Sequence, residues 1–300
     1  MHIYPFALTQ SLSCGDFFFF PFIANGQPLS GVSCVLSSRV AGDMKYTSGT
    51  VNPNRQRFFS TLSMAAGRAL NNVYACEQIH SRDVVLVEAD RSWESPQADG
   101  LATADPSLWL SVTVADCMPI FLRNREGTHM AILHSGWKGT GILSRAIELF
   151  ANRWQIEARE LCVVLGPCIQ SCCYEVDEER ARIFEAEFGW RGTGPDILPP
   201  VVRREFTGKD PSESMGTTSV RFYLDLMAAN LRLLQDAAVE HVAVCTDCTV
   251  MNPNLGSFRR ESRETSEQAP CKTRLPETTA GVQSAAFTRM VALIGQVQLS

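Results

Sequence analysis

Apolar positions in this chain follow two rhythms. Short runs rich in Val, Ile, Leu and Phe occur at residues 17–23, 32–37, 84–88, 108–115, 120–123, 130–133, 161–165 and 242–245, and predict β-strands. Between them, apolar residues spaced three and four apart predict helices over 56–71, 142–154, 178–188 and 224–237. The helix over 142–154 is the clearest, because Ile142, Leu143, Ala146, Ile147 and Phe150 form one stripe. Two stretches, RGTGPDILPP through KDPSESMGTT (191–218) and residues 262–286, are rich in Pro, Gly, Ser, Thr and charge. Both read as irregular, and the second, with no apolar face to bury, reads as a mobile surface loop. AAFTRMVALIG after it returns to the core as a last strand.

Strands and helices alternate without a fixed repeat and without a proline-rich linker, so residues 1–300 are expected to form a single domain. The fold class is α/β, with mixed sheets flanked by helices in layers. The pattern does not give the strand order.

The chain has 300 residues, 45% hydrophobic and 20% charged, which is a globular composition. A formal charge of −5 gives no electrostatic reason to seek a phosphate backbone or an anionic membrane, so neither nucleic acid nor membrane is expected as a partner. Eleven cysteines are an odd number, and Cys34, Cys162 and Cys245 lie in apolar runs where they read as small buried hydrophobes. The start has no cationic leader ahead of SLSC at 11–14, and Gly15, Asp16 and Pro21 interrupt its apolar stretch. A reduced, soluble, cytoplasmic protein is the expectation.

Histidine is scarce, at five residues, so its placement is informative. His80 precedes the strand beginning at Val84, Cys117 follows the strand run SVTVAD, and His134 closes AIL ahead of a glycine-rich turn. Two imidazoles and a thiolate suit zinc, and three protein ligands leave a fourth position for water or substrate. Zinc makes a bound water acidic, toward a pKa of about 7. Asp116, beside the thiolate, is placed to orient a ligand or take a proton. The alternative is that all three are satisfied residues at strand ends.

The stretch HSGWKGTG, with Gly136, Gly139 and Gly141 around Trp137 and Lys138, precedes the helix at Ile142. Amides at a helix N-terminus with a lysine can hold phosphate, and a tight strand-to-helix turn with Trp137 in the core accounts for the same residues. CTDC (245–248) has the spacing of a zinc knuckle or redox pair, yet no second pair completes a four-ligand site. SCCYE, with Cys172 and Cys173, reads as a turn, and so does GPCI before it. In SFRRE, Arg259 and Arg260 suit either a phosphate or a solvated face.

Taken in order, ADGLAT, ADCMPIFL, AILHSGWKGT, LGPCIQSCCYEV, YLDLMAANLRLL, CTDC and SFRR resemble the laccase-domain (YfiH-like) family, described as multicopper polyphenol oxidases and as purine nucleoside phosphorylases. The resemblance is strong over residues 78–260 and weak over the first seventy, where it rests on GVS, AGD and Asn54-Arg55. It implies a layered α/β fold and a zinc site from His80, Cys117 and His134. It also implies phosphorolysis of adenosine, inosine, guanosine and methylthioadenosine to base and pentose 1-phosphate, with adenosine deamination as a companion activity. Lys138 and Arg260 are the candidates for phosphate. The chain departs from the family in having Lys138 where arginine is usual, and Leu255 and Gly256 in place of two phenylalanines. Phe258 stands for a tyrosine, and a polar insertion follows Glu261. The resemblance therefore does not carry an aromatic wall for the purine base over to that element.

Three other readings follow. A copper polyphenol oxidase needs more metal ligands than one three-residue set supplies. A metal-free Cys117–His134 dyad would suit acyl transfer by a cysteine hydrolase. A role in cell-wall (peptidoglycan) editing is the last.

Overall fold

The computed structural model describes residues 1–8, 12–13, 15–66, 69–70, 72–89, 93–189, 198–208, 217–267 and 287–296. In chain order its elements are β1 (His2–Phe6), β2 (Leu12–Ser13), β3 (Phe17–Ala24), β4 (Gln27–Ser37), α1 (Pro53–Ala65), β5 (Val73–Tyr74), β6 (Val84–Leu86) and β7 (Gly100–Thr103). Next come β8 (Trp109–Val114), β9 (Met118–Asn124), β10 (Met130–Ser135), α2 (Ile142–Trp154), β11 (Leu161–Leu165), β12 (Glu175–Val176) and α3 (Glu178–Phe188). The chain continues with β13 (Val201–Gly208), β14 (Thr217–Leu224), α4 (Leu226–Asp236), β15 (His241–Cys245), α5 (Phe258–Glu267) and β16 (Met290–Gln296).

Two large mixed sheets form the frame, one of seven strands in the order β1-β15-β11-β9-β10-β7-β6 and one of six in the order β2-β3-β4-β16-β8-β5. Strand periodicity explains how they stack. In FFFFPF of β3, Phe18, Phe20 and Phe22 point into a core shared with Phe121, Ile132 and Val164 of the seven-stranded sheet. The alternate residues Phe17 and Phe19 point the other way, onto Phe58 and Leu62 of α1. On the far face of the seven-stranded sheet, Ile120, Leu133, Val163 and Val242 pack on the Ile142, Ala146 and Phe150 stripe of α2 and on α3 and α4. The result is helix, sheet, sheet, helices: α/β with mixed sheets flanked by helices in layers. Among the described residues no helix is long and apolar enough to cross a membrane.

Four features differ from the sequence expectation. The stretch 191–218 contains all of β13 and the first two residues of β14, which form an antiparallel hairpin from Val201↔Leu224 to Gly208↔Thr217. The hairpin buries Val201 and Leu224 in the core beside α3 and α4, and its charged residues add lateral contacts: the Arg203 guanidinium makes a two-pronged ion pair with Glu185 of α3 at 2.9 and 2.5 Å, and Arg204 lies over the Tyr223 ring. Residues 191–197 and 209–216 lie outside the described residues. The stretch 262–286, expected to be a loop, begins as helix, since α5 runs through Glu267, and 268–286 lie outside the described residues. Strands β1 and β7 carried too weak a pattern to be read. β1 is a five-residue edge strand parallel to β15, and β7 is GLAT, whose Gly100 leaves only enough room for Leu133 at 2.8 Å from where a Cβ would lie. Helix α1 also starts earlier and ends earlier than its periodicity suggests, because the Asn52 side chain caps it ahead of Pro53.

Candidate metal centre

The chain passes from one large sheet to the other between β8 and β9, through Ala115, Asp116 and Cys117. Asp116 takes a left-handed backbone (φ 79°) at this crossing, and His80, in the loop before β6, does the same (φ 61°). Antiparallel pairing of β10 with β9 (His134↔Pro119, Ser135↔Met118) brings the end of β10 alongside Cys117. Pairing of β10 with β7 (Leu133↔Gly100) puts His134 beside Asp99. Ligand atoms of His80, Cys117 and His134 thereby lie within 4.8 Å of one another. His80 is exposed, Cys117 half-buried and His134 buried.

Register explains the glycines of HSGWKGTG. One step beyond Ser135↔Met118, Gly136 faces Cys117, and a Cβ there would sit 2.7 Å from Sγ and 3.6 Å from His80 Cδ2. A Cβ on Gly139 would come 3.2 Å from the Ser81 carbonyl, so the turn lets the His80 loop lie against it. Gly141 precedes α2 with φ 105°, and the Arg82 guanidinium covers it, paired to Glu187 at 2.5 Å and donating to the Lys138 carbonyl. That helix N-terminus is covered by a cation of the chain itself.

Asp99, within ADGLAT, orders the centre, a role that nothing in its local sequence signals. Its Oδ1 lies 2.8 Å from His134 Nδ1, while Oδ2 accepts from the Ser81 amide (2.6 Å), the Ser81 hydroxyl (3.0 Å) and the Ile79 amide (3.2 Å). One fully buried carboxylate thus fixes the His134 ring and the His80 loop together. Its burial opposes charge, but the His134 bond and the Ser81 donors outweigh it and hold Asp99 below the usual carboxylate range. Gln78 fixes the same loop from the other side, donating to the Thr113 carbonyl at 2.8 Å and accepting from the Thr113 amide at 2.7 Å.

Burial raises the Cys117 thiol, but His134 and His80 beside it more than offset this and bring it to about 6. Burial likewise disfavours a charged His134, yet Cys117 and Asp99 raise it to about 10. A thiolate facing two imidazoles, one backed by a carboxylate, is a donor set that fits a tetrahedral ion with one open position. The three residues lie on the wall of a cavity of about 240 Å³, together with Tyr46, Phe287, Lys45 and Arg289.

The other sequence candidates sit elsewhere. Asp116 is buried and its carboxylate is occupied: Oδ1 accepts from Thr249 Oγ1 at 2.6 Å and Oδ2 from the Arg259 amide, near the start of α5, at 2.7 Å. Lys138 is exposed over the Trp137 ring and does not line the cavity. Arg260 donates to the carbonyls of Thr249, Val250 and Asn252 at 2.8 to 3.1 Å and to that of Leu255, and so clamps the segment before α5 instead of facing the cavity. Aromatic surface comes from unexpected residues. Phe287 packs edge-on against Phe258 and beneath the Arg289 guanidinium, while Gly256 is needed because a Cβ there would collide with the Thr288 carbonyl. No sequence signal marked Phe287, Tyr46 or Lys45, since each is a single residue in a loop.

The structure is thus a two-sheet α/β frame with a His-Cys-His cluster at the crossing between the sheets. Residues 36–271 match the family described as multi-copper polyphenol oxidoreductase laccase, and the chain belongs to that family. It is 32% identical over 217 residues to the purine nucleoside phosphorylase of Deinococcus radiodurans, covering 72% of this chain and 74% of that protein. It is 30% identical over 214 residues to purine nucleoside phosphorylase Rv2149c of Mycobacterium tuberculosis, covering 71% and 75%. The crystal structure of YlmD from Geobacillus stearothermophilus shares the fold, with a TM-score of 0.66 over 93% of this chain and 97% of that one at 23% identity.

Proposed function

We propose that the chain is a zinc-dependent purine nucleoside phosphorylase, converting adenosine, inosine, guanosine or methylthioadenosine and phosphate to base and pentose 1-phosphate, with adenosine deamination as a companion activity. The observation that carries this reading is the His80, Cys117 and His134 donor set, backed by Asp99, on the wall of an open cavity that also has aromatic and cationic walls. The names of the Deinococcus and Mycobacterium relatives support the reaction class.

When bound, the ion supplies Lewis acidity and a water acidic near neutral pH. The chain's own residues do the rest. Asp99 accepts from Nδ1–H of His134 and so leaves Nε2 as the ligand atom. Tyr46 and Phe287 offer apolar faces to a purine. Lys45, for which no ion pair is found among the described residues, and Arg289, paired to Asp43 at 3.0 Å, supply positive charge for phosphate in the cavity. They take the role that the sequence assigned to Lys138 and Arg260. Asp116 serves as a positioning residue that holds the turn carrying Cys117 against Thr249 and α5.

The coupling of Cys117 and His134 favours a second reading, a metal-free thiolate–imidazolium dyad for acyl transfer. Incubation with adenosine, with and without phosphate and a chelator, separates the readings. Free adenine formed only with phosphate and lost with chelator establishes phosphorolysis, and inosine reports deamination. Acyl-ester hydrolysis that survives the chelator, with no nucleoside turnover, overturns the proposal in favour of the dyad.

A further inference from the structure

A second group of metal-ligating atoms lies outside the centre just described. The Sγ atoms of Cys172, Cys173 and Cys248 all lie within 4.8 Å of one another, with Cys172 and Cys173 at 3.5 Å. They come from the SCCYE and CTDC segments, 76 positions apart in the chain, neither of which forms a site alone. Tertiary structure laces the two together. Cys168 and Cys248 form a parallel bridge, the Thr249 amide donates to the Cys168 carbonyl at 3.1 Å, and Gln170 Nε2 donates to the Thr246 carbonyl at 2.8 Å. The 171–173 turn closes on Gln170, whose carbonyl accepts from the Cys173 and Tyr174 amides at 2.8 and 2.9 Å. The backbone on both sides of the sulfurs is therefore fixed before any ligand arrives.

We infer that Cys172, Cys173 and Cys248 form a second metal site, selective for a soft, thiophilic ion and best suited to Cu(I). Three sulfurs around one ion at about 2.3 Å stand roughly 3.8 to 4.0 Å apart, so the observed separations need only sub-ångström adjustment. Among the described residues no imidazole or carboxylate joins the cluster. An all-sulfur, three-donor set favours a thiophilic ion content with trigonal coordination over Zn²⁺, which seeks a fourth ligand, and over hard ions. Access is provided, because Cys172 is exposed and Cys173 partly so, while buried Cys248 closes the inner side. The site is anchored to the first centre through Asp116, whose carboxylate accepts from Thr249, next to Cys248, and whose carbonyl accepts from the Ile169 amide at 2.9 Å. Binding displaces thiol protons to solvent and changes no oxidation state.

The test is anaerobic titration of the full, reduced chain with Cu(I) against a competing Cu(I) chelator, with Zn²⁺ as a parallel probe. The variants Cys172→Ser, Cys173→Ser and Cys248→Ser are compared with Cys117→Ser. Wild type is expected to show an all-sulfur ion by X-ray absorption that persists in Cys117→Ser. Each of the three cluster variants should lose more affinity than the roughly 10–100-fold commanded by outer partners. Cys172→Ser, at an exposed position, keeps the test valid if Cys248→Ser fails to fold. Three results overturn the proposal: Cu(I) affinity unchanged in Cys172→Ser and Cys173→Ser, an ion bound through nitrogen and lost only in Cys117→Ser, or tighter binding of Zn²⁺ than Cu(I) at this cluster.

Discussion

Asp99 and His134 are joined twice: Oδ1 to Nδ1 at 2.8 Å, and the His134 amide to the Asp99 carbonyl at 2.7 Å. The backbone bond sets the two residues side by side, and the side-chain bond then aims the imidazole at Cys117. Asp99→Asn keeps the shape but turns one of two oxygens that face only donors into a donor, so metal affinity should fall about 10–100-fold and the melting temperature should fall with it, a buried mispaired group costing about 1–3 kcal/mol. Competition with a chromophoric chelator measures this, and unchanged affinity would show that Asp99 serves only the fold.

Gly136→Ala places a methyl 2.7 Å from Cys117 Sγ. The backbone at Gly136 is not left-handed, so the cost is contact alone. Overpacking of this kind costs about 1–3 kcal/mol, and the sulfur must move. Metal content should drop well before the chain loses its melting transition, and a variant with full metal occupancy would refute the close fit.

The coupled thiol and imidazole give a pH window for the metal-free chain. Cys117 is depressed from 9.0 to about 6, so its stabilising contribution is present above the unfolded value and lost as pH falls through about 6. His134 is raised from 6.5 to about 10, so its contribution is present below 6.5 and lost as pH rises through about 10. Iodoacetamide should alkylate chelator-treated protein first at Cys117, with a midpoint near pH 6 that moves upward in His134→Ala. Burial raises Cys76 to about 12, so that neighbour should stay slow. A midpoint near 9 for Cys117 would rule out the ion pair.

Lys45→Ala and Arg260→Lys should fail in different ways. Lys45 is exposed at the cavity, so its loss should raise KM for phosphate with the melting temperature unchanged. Arg260 satisfies several carbonyls with one rigid fork, and a lysine leaves some of them unpaired, at about 1–3 kcal/mol each if they stay dry. Its melting temperature should fall while KM for phosphate holds. The reverse pattern would return the phosphate to Arg260.

Local pattern alone determined a good part of this protein. Continuous apolar runs such as 161–165, bounded by polar residues, and the stripe of Ile142, Ala146 and Phe150 need only neighbours in sequence, because strand and helix periodicity follow from backbone geometry. The grouping of His80, Cys117 and His134 was suggested by scarce histidines at strand ends, while the family resemblance singled out Cys117 among eleven cysteines. Tertiary structure decided what depends on partners remote in the chain. It put Asp99 behind His134 by strand register, enclosed Arg260 among carbonyls, covered the α2 N-terminus with Arg82, and gathered Cys172, Cys173 and Cys248 from two segments. The β13–β14 hairpin likewise depends on remote partners, with Val201 and Leu224 buried beside α3 and α4 and Arg203 paired to Glu185 of α3. A sequence fixes which groups a residue can offer, whereas the geometry that lets those groups bond arises only when distant strands meet.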